Sequence, residues 1–342
     1  MVVPQSRPQN PFGDKPLTSS STTLTVGNQG ARRGLGRLSW VSTKALEDGM
    51  LGTAQAERRA PMQRVMCLAI FALCAQGCGG ALISNKQERS LGKGVHGELR
   101  KEHRLVHSSD PVAKWAREFV KPLEKASKRF RDPREIRGYK VAVIADDKLV
   151  NAFAAPGGYT YLSTGLILAA KDCAEIAGVM SHELAHVTQR HGAKAVERAI
   201  AAQTMIGVFL GDTVTAGAAA MAFGLLQGTR FSQEQETESD SVGLRIAKGA
   251  GYDPYGLADF FRKLLKKEKG IRAPQFLSSH PATRGRIRAV EREIKRRYGK
   301  SVKRGQKRKC RTKMKLADLK RRIRSGKMKT LAKLPKTPKK KK

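Results

Sequence analysis

The middle of this 342-residue chain is predicted to be an α+β, mostly helical domain with a small edge β-sheet beside a central helix. Three observations predict it. Residues 172–188 carry an apolar stripe at helical spacing around His182-Glu183-Leu184-Ala185-His186. Short β-type segments fall at 139–145, 151–155 and 159–162. Capped helical patterns then begin near Ser232, Asp253 and Pro281.

The elements follow in chain order. Residues 1–61 are rich in Ser, Thr, Gly, Gln and Pro without periodicity, and read as disordered. Residues 62–77 read as a signal peptide: Arg64 is positive, and Val65 to Ala75 is apolar but too short to span a bilayer. Such a segment belongs at a chain start, so Met62 is expected to be the true initiator. Ala75-Gln76-Gly77-Cys78 resembles a bacterial lipoprotein box, with Cys78 acylated, and Gly79 resembles the pattern of lipoproteins sorted to the outer membrane. A buried apolar helix or signal anchor is the alternative. Residues 78–105 read as a linker, 106–299 as the folded domain and 300–342 as a basic disordered tail.

Within the domain, Asp110-Pro111 opens a helix carrying Val112, Trp115, Phe119, Leu123, Ala126 and Phe130, with Pro122 expected to kink it. The three strands follow, turning at Pro156-Gly157-Gly158. Asp172 and Glu175 start the central helix, and a further helix is expected around 193–203. Residues 201–228 are rich in small and apolar residues with one charge, Asp212, and fit either a helical hairpin packed over the domain or a membrane-facing segment. Ser232 with Gln235 caps another helix ending at Gly249 or Gly251. Helices from Asp253-Pro254 and over 282–298 close the domain.

Charge is unevenly spread. The net charge is +38, and residues 295–342 hold 24 Lys or Arg against one acid, Asp318. Such a block is a solvated tail, with Leu316 to Ile323 able to form a short helix, or a contact for anionic lipid or envelope polymer. Nucleic acid is disfavoured, since the block has one Tyr and no Phe or Trp for bases to stack on. Of five Cys, Cys67 and Cys74 would leave with the signal and Cys78 would carry lipid. Cys173 and Cys310 remain, which is no disulfide framework, and a bridge between a helix start and a tail cannot be inferred from the sequence.

The chemistry centres on residues 182–186. His182 and His186, four apart on a helix, share a face and can grip one metal ion. Glu183 lies about 100° round the helix, where it reaches a water activated at the metal instead of the metal itself. A catalytic zinc takes three protein ligands and leaves a position open. Glu236 is assigned as third ligand, and Asp240, four further on, as the acceptor for the free N–H of a ligand histidine. An acidic solvated face is the bland alternative, since Glu234 and Glu238 are also there.

Five blocks together resemble the membrane-associated zinc metallopeptidases of the HtpX and CAAX-prenyl-protease family, especially their short lipoprotein-like bacterial members. They are Asn151 to Gly158 with Gly165-Leu-Ile; His182 to His186 with Arg190-His191-Gly192; Glu236 with Asp240; Gly251 to Pro254; and Ser279-His280-Pro281 with Arg286-Ile287. They cover roughly residues 106–298. One departure is Ser239, where the family usually has Ala. The resemblance implies a zincin-like fold of the gluzincin type holding one zinc. It implies that His280 and Arg286 line the cleft and stabilise an oxyanion, and that the edge strand from Asn151, Ala152 and Phe153 to Ala155 pairs with substrate backbone. It implies protein or peptide substrates, here misfolded or mis-assembled envelope proteins. Together with the lipid anchor it suggests the periplasmic face of a membrane, most simply the outer membrane; an organellar membrane is the alternative. A chaperone-like or assembly factor with gated activity is the competing function.

Overall fold

The structure, a computed structural model, describes residues 83–202, 209–210, 213–228, 231–267, 275–281, 283–305 and 310–335. The expectations for 1–61, for 62–77 and for Cys78 lie outside the described residues. Helix α1 (Asn85–Glu102) occupies most of the expected linker. Ser84 and Gln87 cap it reciprocally, and it buries Leu91, Val95 and Leu99. Those apolar residues recur every four positions, but the Gly, Lys, His and Glu between them hide the stripe in a composition count. Helix α2 (Pro111–Ser127) starts where expected, with the Asp110 carboxylate accepting from Val112 N–H, and continues through Pro122. Trp115, Phe119 and Leu123 from α2 enter the core, each contributing roughly 1.5–3 kcal/mol by leaving water.

Strands β1 (Lys140–Ile144), β2 (Ala152–Ala155) and β3 (Tyr159–Ser163) form one sheet in the order β1-β3-β2. β1 runs parallel to β3, and β2 antiparallel to it. The outer edge of β1 is covered by 104–106, through Val106 N–H to Val143 O at 2.8 Å and Ala145 N–H to Arg104 O at 2.8 Å. The remaining edge belongs to β2. Asn151 and Ser163 exchange backbone hydrogen bonds or their side-chain equivalents across the β2–β3 pair. Alternation along an antiparallel ladder therefore turns the N–H and C=O of Ala152 and Ala154 outward.

After α3 (Thr164–Ala169) comes α4 (Cys173–Thr188), the helix of the His pair, capped by Asp172 accepting from Ala174 and Glu175 N–H. Helix α5 (His191–Ala202), the short strand pair β4 (Phe209–Leu210) and β5 (Thr213–Val214), and α6 (Ala216–Gly228) follow. Ala222 and Phe223 of α6 pack with Leu91 and Val95 of α1, so this stretch covers the domain. Among the described residues no helix is long and apolar enough to cross a membrane. Helices α7 (Gln233–Gly249), α8 (Gly256–Lys267), α9 (Gln275–Ser279) and α10 (Arg284–Tyr298) complete the helical layer. The cap of α10 is Thr283, whose hydroxyl accepts from Arg286 N–H, so the helix starts later than Pro281 suggested.

α4 is buried along nearly its whole length and lies against α7 and α8. Gly243 permits a close approach of α7: a Cβ there would sit 3.0 Å from both N and Cα of His182. The α7 backbone thus rests directly on the first histidine, which places Glu236 and Asp240 opposite the pair.

Residues 310–335 pack on the domain where a disordered tail is expected, and the short helix expected at Leu316 to Ile323 is present. Helix α11 (Leu316–Arg324) buries Leu319 and Ile323 in the main core. Arg322 pairs with Asp110 at 3.0 Å, and Leu331 N–H bonds to Leu105 O at 2.7 Å. Residues 310–335 therefore form a strap round the domain. The two apolar anchors and the aliphatic stems of Lys and Arg are enough to seat it, while its charged ends remain in water. The strap is fastened covalently as well: Cys310 is disulfide-bonded to Cys173, the first residue of α4, with Cα atoms 5.4 Å apart.

Candidate metal centre

α4 presents His182 and His186 on one face, both buried. α7 presents Glu236, and the turn after α9 presents His280. One ligand atom from each of these four residues lies within 4.8 Å of the others. His182 Nε2 is 3.1 Å from His186 Nε2 and 3.2 Å from His280 Nδ1. Glu236 Oε1 lies 2.8 Å from His280 Nδ1 and 3.4 Å from His186 Nε2. Lone pairs this crowded and this buried call for a cation, and an N and O donor set of this kind suits zinc. The residues present therefore fit the metal that the motif implies.

The electrostatics agree. Burial opposes charge on His182, but the Asp240 and Glu236 carboxylates outweigh it and bring its pKa up to about 9. Burial likewise opposes ionisation of Glu236, yet the surrounding imidazoles hold its carboxyl far below the usual range. Burial pushes the His186 imidazole well down, keeping it neutral. A pocket that stabilises a proton between these groups also stabilises a metal ion there, in exchange for that proton.

Glu183 adjoins the cluster without joining it. Its Oε1 faces His280 Nε2 at 3.4 Å and has no hydrogen-bond partner among the described residues. Burial raises its pKa; the charges of His280 and His182 and the Ala154 N–H pull partly the other way. That N–H is one of the outward backbone groups of β2, so this strand edge runs beside the carboxylate.

The remaining site residues divide. Asp240 Oδ1 is 3.0 Å from His182 Nδ1, on the side of that ring away from the ligand group. Arg286 departs from expectation. It forks onto Asp240 (Nε to Oδ2 2.8 Å, Nη2 to Oδ1 2.7 Å), contacts Glu236 Oε2 at 2.6 Å through Nη1 and donates from Nη1 to Pro281 O at 2.9 Å. Its donors are committed to holding carboxylates, so the expected oxyanion role is not available to it. His280, also expected at the oxyanion, instead turns Nδ1 into the ligand group. On the edge strand Ala152 projects outward backbone groups, while Asn151 and Phe153 face β3, Phe153 stacking on Tyr161.

Sequence reasoning missed several neighbours. Phe231 lies over His186 with ring centroids 4.0 Å apart, and Phe276 stacks on His280 at 4.9 Å. His191, which in sequence is only part of a motif, touches the back of His186, and Glu238, one of an acidic run, contacts the far nitrogen of His191. Aromatic residues near the histidines in space carry no spacing signal along the chain.

A buried His-Glu-x-x-His helix facing a carboxylate helix defines the metallopeptidase class. The chain belongs to peptidase family M48, whose model matches residues 113–294, more than half of its length. It is 31% identical over 222 residues to the beta-barrel assembly-enhancing protease of Escherichia coli (strain K12), covering 61% of this chain and 44% of that protein. It is 29% identical over 218 residues to the mitochondrial metalloendopeptidase OMA1 of Arabidopsis thaliana, covering 59% and 44%. It is 32% identical over 167 residues to the metalloprotease LoiP of Escherichia coli (strain K12), covering 44% and 60%. The chain spans about half the length of the curated relatives it matches.

Proposed function

We propose that this chain is a zinc-dependent endopeptidase of the HtpX and CAAX-prenyl-protease kind, acting on misfolded or mis-assembled proteins of a cell envelope. The observation that carries this reading is the convergence of His182, His186 and Glu236 beside a buried carboxylate, Glu183, that has an unused oxygen. Zinc held by those three residues supplies a Lewis acid that makes a water acidic and polarises a carbonyl. Glu183 takes a proton from the attacking water and returns it to the leaving amine. Its raised pKa brings it toward the range where both transfers are efficient. The β2 edge, with the outward backbone groups of Ala152 and Ala154 buried in this structure, would take an extended substrate as an added strand once they are uncovered. Arg286 and Asp240 fix Glu236 and His182. A hydrolytic zinc needs one position free of protein, so His280 would stand aside as a neighbour of Glu236 and not serve as a fourth ligand.

The cellular setting is proposed from other observations. A disulfide between Cys173 and Cys310 suits an oxidising compartment such as a periplasm. Exposed Lys313, Lys315, Arg324 and Lys327 on the strap suit an anionic membrane face, alongside a lipid anchor at Cys78. The names of the relatives, a beta-barrel assembly-enhancing protease among them, support protein substrates of an envelope. Glu183→Gln tests the centre: zinc content should match wild type while casein cleavage falls by at least about 100-fold. A fully active Gln variant would refute the assignment.

A further inference from the structure

The face of His186 turned away from the ligand group meets a second histidine. His186 Nδ1 is 3.0 Å from His191 Nδ1, and His191 Nε2 is 3.0 Å from Glu238 Oε2. His191 is buried; the Glu238 side chain is half exposed. The turn that creates this contact is unusual. Arg190 sits at φ 58°, in the left-handed region, with its guanidinium on Glu88 at 3.1 Å and on the Ile83 carbonyl. The chain thereby doubles back, and the first residue of α5 lands against the second histidine of α4.

We infer that His191 and Glu238 form a relay of fixed proton direction that positions His186 as a zinc ligand. The inference rests on the metal site proposed above. The argument is one of donor and acceptor. His186 directs Nε2 at the ligand group, so in the liganded state that nitrogen carries no hydrogen and Nδ1 does. A neutral imidazole has one donor and one acceptor. Its Nδ1–H donates to His191 Nδ1, which therefore has no hydrogen. His191 then carries its hydrogen on Nε2, where the Glu238 carboxylate accepts it. Each choice forces the next, and the chain ends on a charge in contact with water. The carboxylate polarises His191, which becomes a better acceptor and makes His186 a stronger base toward a metal. Phe231, tilted over His186 with ring centroids 4.0 Å apart, limits the room that ring has to turn. Ser239 Oγ, 3.3 Å from His191 Nδ1, competes for a lone pair already used and contributes little.

The test measures zinc affinity of the full chain by competition with a chelating dye, so it does not depend on turnover. His191→Ala should weaken zinc by about 10–100-fold. His191→Asn, whose Oδ1 takes the place of Nδ1 as acceptor, should restore affinity to within about threefold of wild type. Glu238→Ala, at a half-exposed position where folding is not at stake, should weaken zinc by roughly tenfold. The double variant His191→Ala/Glu238→Ala should bind no more weakly than His191→Ala alone, because the carboxylate acts only through His191. Ser239→Ala should match wild type. Unchanged affinity in Glu238→Ala, multiplied losses in the double variant, or Asn no better than Ala would each overturn the relay. Wild-type protein that binds no zinc would instead overturn the metal site itself.

Discussion

Replacing Cys310 with Ser cuts the only covalent tie between the strap and α4 among the described residues. The two cysteines are 137 residues apart in sequence. In the chain-entropy account, closing a loop of that length removes about 17 cal/mol/K from the unfolded ensemble, or about 5 kcal/mol at 25 °C. Loss of native bridges typically costs 2–5 kcal/mol, so Cys310→Ser should lower stability by about 2–5 kcal/mol. For a domain of this size that corresponds to a Tm fall of roughly 5–20 °C.

The loss should be global, without local release of the strap. Leu319 and Ile323 remain buried, Arg322 still reaches Asp110, and the backbone bonds of Leu331 and Leu334 remain. Denaturant unfolding of the variant and of wild type under non-reducing conditions should therefore give one cooperative transition each, displaced in midpoint. Mass spectrometry of a non-reduced digest should show peptides joined through Cys173 and Cys310. A variant melting within about 2 °C of wild type, or a digest in which the two cysteines are never joined, would refute the reasoning.

Other perturbations test separate parts. His280→Ala should retain one zinc per chain, because His182, His186 and Glu236 suffice, whereas Ala at any of those three should lose it; metal analysis after dialysis decides. Gly243→Val places a branched side chain against the His182 backbone, forces α7 away from α4 and should cost roughly 1–3 kcal/mol together with zinc binding. Gly97→Ala, where a Cβ meets nothing within 4 Å, should be neutral or slightly stabilising. Glu88 tests acid stability. Burial opposes its ionisation, but Arg131, the Gly157 N–H and Arg190 outweigh that and hold its carboxyl below the ordinary value. A depressed folded pKa means that the stability it contributes is fully present above the unfolded value, about 4.3, and is lost as pH falls through the folded value. The Tm difference between wild type and Glu88→Gln should thus be widest near neutrality and shrink below about pH 4; a gap independent of pH would contradict the reasoning.

What was legible in the sequence shares one physical property: its signal is local. His182 and His186 are on one face because 3.6 residues make a turn, and Glu236 with Asp240 for the same reason. Asp110, Asp172 and Ser232 announce their helices because a cap acts on the next two or three N–H groups. Even β2 is readable, as a short segment that ends at the turn signal Pro156-Gly157-Gly158. What failed depends on a partner distant in sequence. Arg286 suits an oxyanion until its guanidinium is seen gripping Asp240, 46 residues away. His280 resembles a cleft residue until its ring is found among the ligands. Cys173 and Cys310 have no meaningful spacing until α4 and the strap are brought together.

Charge concealed the rest. In α1 and α11 a few apolar residues decide the packing, but Lys and Arg decide the composition, so a reading weighted by composition took a helix for a linker and a strap for a solvated tail. The two errors are linked in the fold. Leu334 N–H of the strap bonds to Arg100 O of α1 at 2.9 Å, and Glu88 of α1 reaches Arg190 at the end of α4. The segments that look dispensable thus brace the turn that brings His191 onto His186. Trimming the chain to the family-matched span would remove that brace while leaving every proposed metal ligand in place, so zinc affinity should fall even though the ligand set is intact.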